Sequence, residues 1–254
     1  MKAILCDIDG VVLRDDHVLP GAPELVAYML KSGAPFLFLT NYPSQTPADL
    51  RDRFRSAGID VPAHHFYTSA KATAEFLDRQ AGEKRKVFVV GEGALVHELY
   101  QAGFTLTDTE ADFVVLGETR AFNYDMIQRA AHLIRHGARF IATNPDVSGP
   151  QGRPSCGTLA APIERLSGKQ AFFVGKPNPV MMRAALRYLQ VHSEDAWMVG
   201  DNMDTDIIAG VQTGLSTVLV LSGVSQKEDL PRYAYQPDYV VADAAALIAL
   251  LRGR

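Results

Sequence analysis

The chain reads as an α/β protein, a Rossmann-like doubly wound parallel sheet with a second, smaller α/β domain inserted into it. Three observations predict this. Short apolar runs of strand length alternate with stretches of helical period from end to end, the pattern of parallel strands joined by crossover helices. Several of those runs end in acids, hydroxyls or amides, the residues expected where such a sheet opens its ligand crevice. The intervals between the polar strand ends are also unequal: 30 residues (10–39) separate Asp9 from Thr40, whereas 134 (42–175) separate Asn41 from Lys176. The first interval holds one helix and its connections, and the second holds several extra strand–helix units. The inserted domain is therefore expected at about 82–173, with 1–81 and 174–254 forming a discontinuous core.

Taken in order, the expected strands are Ile4 to Ile8, Phe36 to Thr40, Val87 to Val90, Phe113 to Leu116, Arg139 to Thr143, Phe172 to Val174, Trp197 to Val199 and Thr217 to Leu221. Each is brief and rich in β-branched or aromatic residues, which suit a pleated, buried surface. Between them Met126, Ile127, Ala130, Ala131, Leu133 and Ile134 keep helical spacing, as do Val180, Met181, Ala184, Ala185 and Leu189. Pro23, Pro47 and Pro179 mark helix starts, since a first-turn proline has no N–H to waste.

With 254 residues, 27.7 kDa and 47% hydrophobic content, the chain can bury a sizeable core. A formal charge of −4 and no long basic run argue against a nucleic-acid polymer and leave small phosphorylated metabolites as partners. Cys6 and Cys156 have no CxxC or Cys/His ligand spacing and are expected to be reduced structural residues. The start, Met1 to Asp7, reaches an acid after four apolar residues, too few for a signal-peptide core or a membrane span, so a cytoplasmic protein is expected.

The chemistry is concentrated at four strand ends. In Asp7-Ile8-Asp9-Gly10-Val11 two carboxylates leave the first strand two residues apart, which puts them on one face, while the glycine lets the chain turn. Such a pair is costly at a buried strand end unless a cation or ligand compensates it. Phe36 to Asn41 ends in a hydroxyl and an amide, Thr40 and Asn41; both can donate to phosphate oxygens, and both are also ordinary helix caps. Gly175-Lys176-Pro177 puts an ammonium at a strand end, and Gly200-Asp201-Asn202-Met203-Asp204-Thr205-Asp206 adds further acids. Lys176 alone would read as a solvated surface charge. The ordered set suits Mg²⁺ with a phosphoryl group: hard oxygen ligands hold the cation, and the lysine and neutral donors hold the anion.

In this order the DxD, LTN, GKP and GDxxxxD signatures resemble the haloacid dehalogenase superfamily of phosphohydrolases. The resemblance extends over nearly the whole chain to the nucleotide phosphatases of its subfamily IIA. It is carried by Leu39 to Thr46, Val90 to Leu95, Gly117 to Arg120, Ala142 to Asp146 and Leu221 to Val224. It implies that the inserted domain is a C2-type cap that opens and closes over the site. It also implies that Asp7 attacks phosphorus to form an aspartyl-phosphate, and that Asp9 protonates the leaving alkoxide and then activates water. Mg²⁺ would be held by Asp7, the Asp9 backbone carbonyl and Asp201. Asp9, Thr40, Asn41 and Lys176 would contact the substrate, joined by Asn202, Asp204 and Thr205. Asp206 is open between orienting Lys176, orienting metal waters, and capping its helix.

Two features tempt without fitting. Gly91-Glu92-Gly93 follows a strand, but the third glycine of a dinucleotide fingerprint is Val96 here. His64-His65 has no third metal ligand in view. Asn144-Pro145-Asp146 matches the family stretch that faces the leaving group, whereas the following Val147-Ser148-Gly149-Pro150 is less polar than the family's continuation, which loosens the substrate assignment. The expected function is a Mg²⁺-dependent phosphomonoesterase acting on nucleoside 5′-monophosphates such as UMP or GMP. The alternatives are a pyridoxal phosphate or glycolate/glycerol phosphate phosphatase and, further off, a phospho-receiver or binding module that turns nothing over. Asp9 and the cap stand against the receiver, and a binding module would have no use for the complete set Asp7, Asp9, Thr40, Lys176 and Asp201.

Overall fold

The computed structural model describes residues 2–15, 17–149 and 152–253. Its elements run β1 (Ala3–Asp7), a small antiparallel hairpin of β2 (Leu13–Arg14) and β3 (His17–Val18), α1 (Ala22–Ser32), β4 (Phe36–Thr40), α2 (Pro47–Ser56), β5 (Phe66–Thr68) and α3 (Ser69–Ala81). Next come β6 (Lys86–Val90), α4 (Gly93–Gln101), β7 (Thr105–Leu106), β8 (Phe113–Leu116), α5 (Tyr124–Arg135), β9 (Arg139–Ala142), α6 (Cys156–Ser167) and β10 (Phe172–Phe173). The chain ends with α7 (Pro179–Leu189), β11 (Ala196–Gly200), α8 (Ile208–Thr213), β12 (Ser216–Val220), β13 (Tyr239–Val241) and α9 (Ala244–Arg252).

The α/β class holds, and every expected strand is present. One sheet has the order β13-β12-β11-β1-β4-β5, with β1 parallel to both β4 and β11, and β12 parallel to β11 and β13. The other, β10-β9-β8-β6-β7, is parallel at every pairing. Strand β1 carries five consecutive buried residues, as does β4, because helices cover both faces of a parallel sheet.

The strands not foreseen are short or poorly covered. β7 is two exposed residues, and edge strand β13 has no fully buried residue. β5, though buried, is only three residues long, too brief for a periodicity. Prolines fall in the first turns of α1, α2 and α7 as expected.

The chain divides into two compact units, each with its own core. The first comprises Met1–Thr40, Pro47–Tyr67 and Met182–Arg254, and the second Asn41–Thr46 and Thr68–Met181. In the first, Ile4, Cys6, Phe36, Phe38, Phe54, Phe66, Trp197 and Val199 are among the residues of one buried cluster. In the second, Phe88, Val90, Val114, Leu116, Phe140 and Ile163 are among those of another. The second unit is wider than the 82–173 expected from sequence. Helix α3 packs on α4, and Asn41 hydrogen-bonds Lys176 and Asp146, which draws both chain crossings into it. Cys6 in β1 and Cys156 at the start of α6 are buried free thiols, and burial pushes the Cys156 thiol up to about 11. Among the described residues no helix is long and apolar enough to cross a membrane.

Candidate active site

In the first unit the neighbouring strands β1 and β11 end side by side, with Cys6 in register with Val199. Asp7 closes β1, and Asp201 follows β11. After Asp201 the backbone makes a π-helical turn, Met203–Ile207, before α8. That turn presents Asp206, and the carboxylate oxygens of Asp7, Asp201 and Asp206 lie within 4.8 Å of one another, all three residues buried. At an effective dielectric near 20, two charges at that range repel by roughly 3–4 kcal/mol. Three such groups together are the donor set of a hard divalent cation, which prefers oxygen ligands and neutralises the cluster. The residues therefore fit a metal of the Mg²⁺ kind.

Local structure holds the cluster in place. The Val224 N–H donates to Asp201 Oδ2 at 2.7 Å, and the Ser225 N–H to the Asp201 carbonyl at 3.0 Å. Two glycines make room for Asp201: a Cβ on Gly10 would lie 2.2 Å from Oδ2, and one on Gly223 only 1.7 Å from it. Gly10 also has φ +84°, which L side chains seldom adopt. Its N–H donates to Leu13, and the N–H groups of Val12 and Leu13 both donate to the Ile8 carbonyl. Asp206 Oδ2 accepts from the Asn202 N–H at 3.2 Å, and the Asn202 side chain in turn caps the Asp204 N–H at 2.9 Å.

Two expectations change here. The first strand ends at Asp7 rather than Ile8, and the turn that follows takes the chain out of the pleat. Asp7 and Asp9 therefore do not share a strand face. The Asp7 carboxylate joins the acidic cluster, while Asp9 Oδ1 lies half-exposed, 3.5 Å from Nη2 of Arg53 on α2. Asp206, which the sequence left open, is a member of the carboxylate cluster. The signal for it was its place five residues after Asp201, in the turn that leads into α8. Arg53 carried no sequence signal, since nothing in a helical Arg–Asp-rich stretch distinguishes it from its neighbours.

The remaining positions divide between the units. Thr40 is buried at the end of β4, beside β1 in the sheet. Asp204 is exposed and accepts from the Tyr233 hydroxyl at 2.9 Å, and Tyr235 donates to the Met203 carbonyl at 2.8 Å, so two tyrosines brace the π turn. Burial, reinforced by hydrogen bonding to the Asp204 carboxylate and its charge, pushes the Tyr233 phenol up to about 12 and keeps it a donor. Thr205 is half-buried in the same turn.

In the second unit Asn41 and Lys176 are both buried and joined side chain to backbone. Beside them Asn144, Asp146, Ser155 and Glu118 form a hydrogen-bonded chain at the ends of β8 and β9: Asn144 Nδ2 donates to Asp146 Oδ2 at 2.8 Å and to Ser155 Oγ at 3.3 Å, and Ser155 donates to Glu118. Burial raises the Glu118 carboxyl above its usual 4.5 and the nearby Asp146 charge adds to this, while the Ser155 hydroxyl opposes it. Glu118 and Ser155 were not singled out from sequence, because only the fold brings them to Asn144. Val147 is exposed, and Pro150 lies outside the described residues.

The tempting features have structural explanations. Gly93 opens α4, and His65 stacks on Phe36 with ring centroids 3.9 Å apart.

Two family models match the chain: haloacid dehalogenase-like hydrolase over residues 4–105, and HAD-hydrolase-like over 173–247. The ribonucleotide monophosphatase NagD of Escherichia coli K12 is 53% identical over 247 residues, covering 97% of this chain and 98% of that protein. A dihydroxyacetone phosphatase of Corynebacterium glutamicum is 44% identical, covering 96% and 89%. Among solved structures, E. coli NagD superposes with a TM-score of 0.94 over 96% of this chain and 97% of its own. A p-nitrophenyl phosphatase from Archaeoglobus fulgidus, 33% identical, superposes with a TM-score of 0.91 over 98% of each.

Proposed function

The chain belongs to the haloacid dehalogenase-like hydrolases, and from that premise we propose that it is a phosphomonoester hydrolase that works through an aspartyl-phosphate on Asp7. The observation that carries the proposal is the position of Asp7: a buried carboxylate at a strand end, within 4.8 Å of two others in a cluster that could hold a cation. Asp7, Asp201 and Asp206 would hold Mg²⁺, with the Asp9 carbonyl as a further ligand. Bound there, the ion would offset the carboxylate charge and orient the phosphoryl oxygens.

Each residue has a defined task. The Asp7 carboxylate would attack phosphorus and release the alcohol, leaving an acyl phosphate that water then cleaves, so that displacement proceeds in two steps rather than one. Asp9 lies past the strand on the exposed side of the turn, where it can give a proton to the leaving alkoxide and take one from the water that follows. By resemblance to the family's signatures, the Thr40 hydroxyl would donate to a phosphate oxygen and the Lys176 ammonium would spread the transition-state charge. Asn202, Asp204 and Thr205 would add substrate contacts from the turn after Asp201.

Nucleoside 5′-monophosphates such as UMP and GMP are the proposed substrates, supported by 53% identity to a ribonucleotide monophosphatase over nearly the full chain. The second reading, a phosphatase of smaller sugar or triose phosphates, is favoured by the 44% identical dihydroxyacetone phosphatase and by acid sugar phosphatases at 34%. Cytoplasmic residence belongs to the same proposal, supported by two buried free thiols. Phosphate release from nucleotides, triose and sugar phosphates and pyridoxal phosphate, with and without Mg²⁺, tests both readings. Metal-dependent release concentrated on nucleotides is expected; a dominant triose phosphate would replace the substrate class, and no release from any ester would overturn the hydrolase.

A further inference from the structure

We infer that the Asn41 side chain is not a phosphate donor but a positioning device for Lys176, locked in place by Asp146. This inference rests on the phosphatase reading. The Asn41 amide has two N–H donors and one oxygen acceptor. One donor goes to the Lys176 carbonyl at 2.8 Å and the other to Asp146 Oδ2 at 3.0 Å, while the amide oxygen accepts the Lys176 N–H at 2.8 Å. Both donors are thus engaged inside the second unit, and the amide pairs with a single residue's backbone at both ends. That pairing sets the peptide plane from which the lysine side chain departs.

Two further features show that the arrangement is built in. A Cβ on Gly175 would sit 2.6 Å from Asn41 Oδ1 and 2.6 Å from the Thr143 carbonyl, so only glycine before Lys176 lets the amide approach. Asp146 Oδ2 is itself fixed by Asn144 Nδ2 at 2.8 Å, and Asn144 Oδ1 accepts from Thr143 Oγ1 at 2.9 Å. A carboxylate at the outer end of Asn41 admits only N–H there, so the amide cannot flip and present its oxygen to Asp146. The orientation that matches Lys176 N–H and C=O is therefore the one allowed.

The test is a double-mutant cycle on kcat/KM for the best ester of the panel, with Asn41→Ala, Lys176→Met and the double variant. If Asn41 acts through Lys176, Asn41→Ala costs on the order of 30-fold in the native background, most of it in kcat, and less than about twofold once Lys176 is Met. A residue that bound phosphate itself, or merely supported the fold, would cost about the same factor in both backgrounds, and multiplicative losses overturn the inference. Asp146→Ala repeats the cycle from the outer end, should Asn41→Ala melt too early to assay. It is expected to cost roughly 3–10-fold, to be silent in the Lys176→Met background, and to be rescued by Asp146→Asn, whose amide oxygen can still accept. Loss that Asp146→Asn does not rescue removes Asp146 from the relay. A wild type inactive on every ester defeats the phosphatase reading and this inference with it, whereas an active wild type with multiplicative losses defeats the inference alone.

Discussion

The two units carry parallel sheets and treat acids at their strand ends in opposite ways. In the first, the ends of β1 and β11 and the π turn after β11 bring three carboxylates together, a cluster whose like charges repel. In the second, Asp146 and Glu118 at the ends of β9 and β8 are met by neutral donors, the amides of Asn41 and Asn144 and the hydroxyl of Ser155. The difference lies in what the acids face: other acids in the first unit, neutral amides and a hydroxyl in the second. Where acids gather against one another the site suits a divalent cation; where each acid faces an amide or hydroxyl, the network serves to orient other groups.

The comparison can be broken at several points. The largest effect is expected for Asp7→Asn, which should lower turnover by about three orders of magnitude or more while leaving the melting temperature within a few degrees of wild type, read by phosphate release and thermal melts. Next comes Gly223→Ala, whose Cβ would fall 1.7 Å from Asp201 Oδ2 and force the carboxylate aside. The Mg²⁺ concentration for half-maximal activity should rise on the order of 10-fold or more, and an unchanged metal titration would show that Asp201 is not a ligand.

The third prediction concerns stability. If the three carboxylates repel, Asp201→Asn should melt about 2–6 °C above wild type in EDTA and lose most of the rise that Mg²⁺ gives the wild type. Without repulsion the order in EDTA reverses, because the hydrogen bond from the Val224 N–H is weakened and nothing is gained. The smallest effect is expected in the second unit. The Glu118 carboxyl is raised by burial, so its stabilising contribution is complete below its ordinary 4.5 and is lost as pH rises through the folded value. Glu118→Gln should therefore match wild type near about pH 4 and exceed it by about one or two degrees near pH 7, and the opposite trend would mean that the carboxylate form is the one the network favours.

Much of this was legible in the sequence, for reasons that also explain the gaps. Apolar runs such as Phe36 to Thr40 are buried on both faces and announce themselves without context. The acids of the first unit were visible because Asp7 and Asp201 stand directly at the ends of such runs. Asp206 was ambiguous because the π turn that directs it inward has no helical or strand period to read. The separation of Asp9 from Asp7 was hidden because the strand ends one residue early, at a turn decided by contacts to Ile8 and Leu13. Glu118, Ser155 and the two-sided grip of Asn41 on Lys176 depend on residues far apart in the chain, 135 positions in the last case, and only tertiary structure brings them together.

The central claim is that Asp7 is the group that takes the phosphoryl. It is tested most directly by acid-quenching the enzyme during turnover of an ester radiolabelled in its phosphoryl group and mapping the label retained by the protein. The account predicts label on the peptide containing Asp7, released by mild base and absent from Asp7→Asn. Full turnover with no labelled protein, or label that persists in Asp7→Asn, would contradict it.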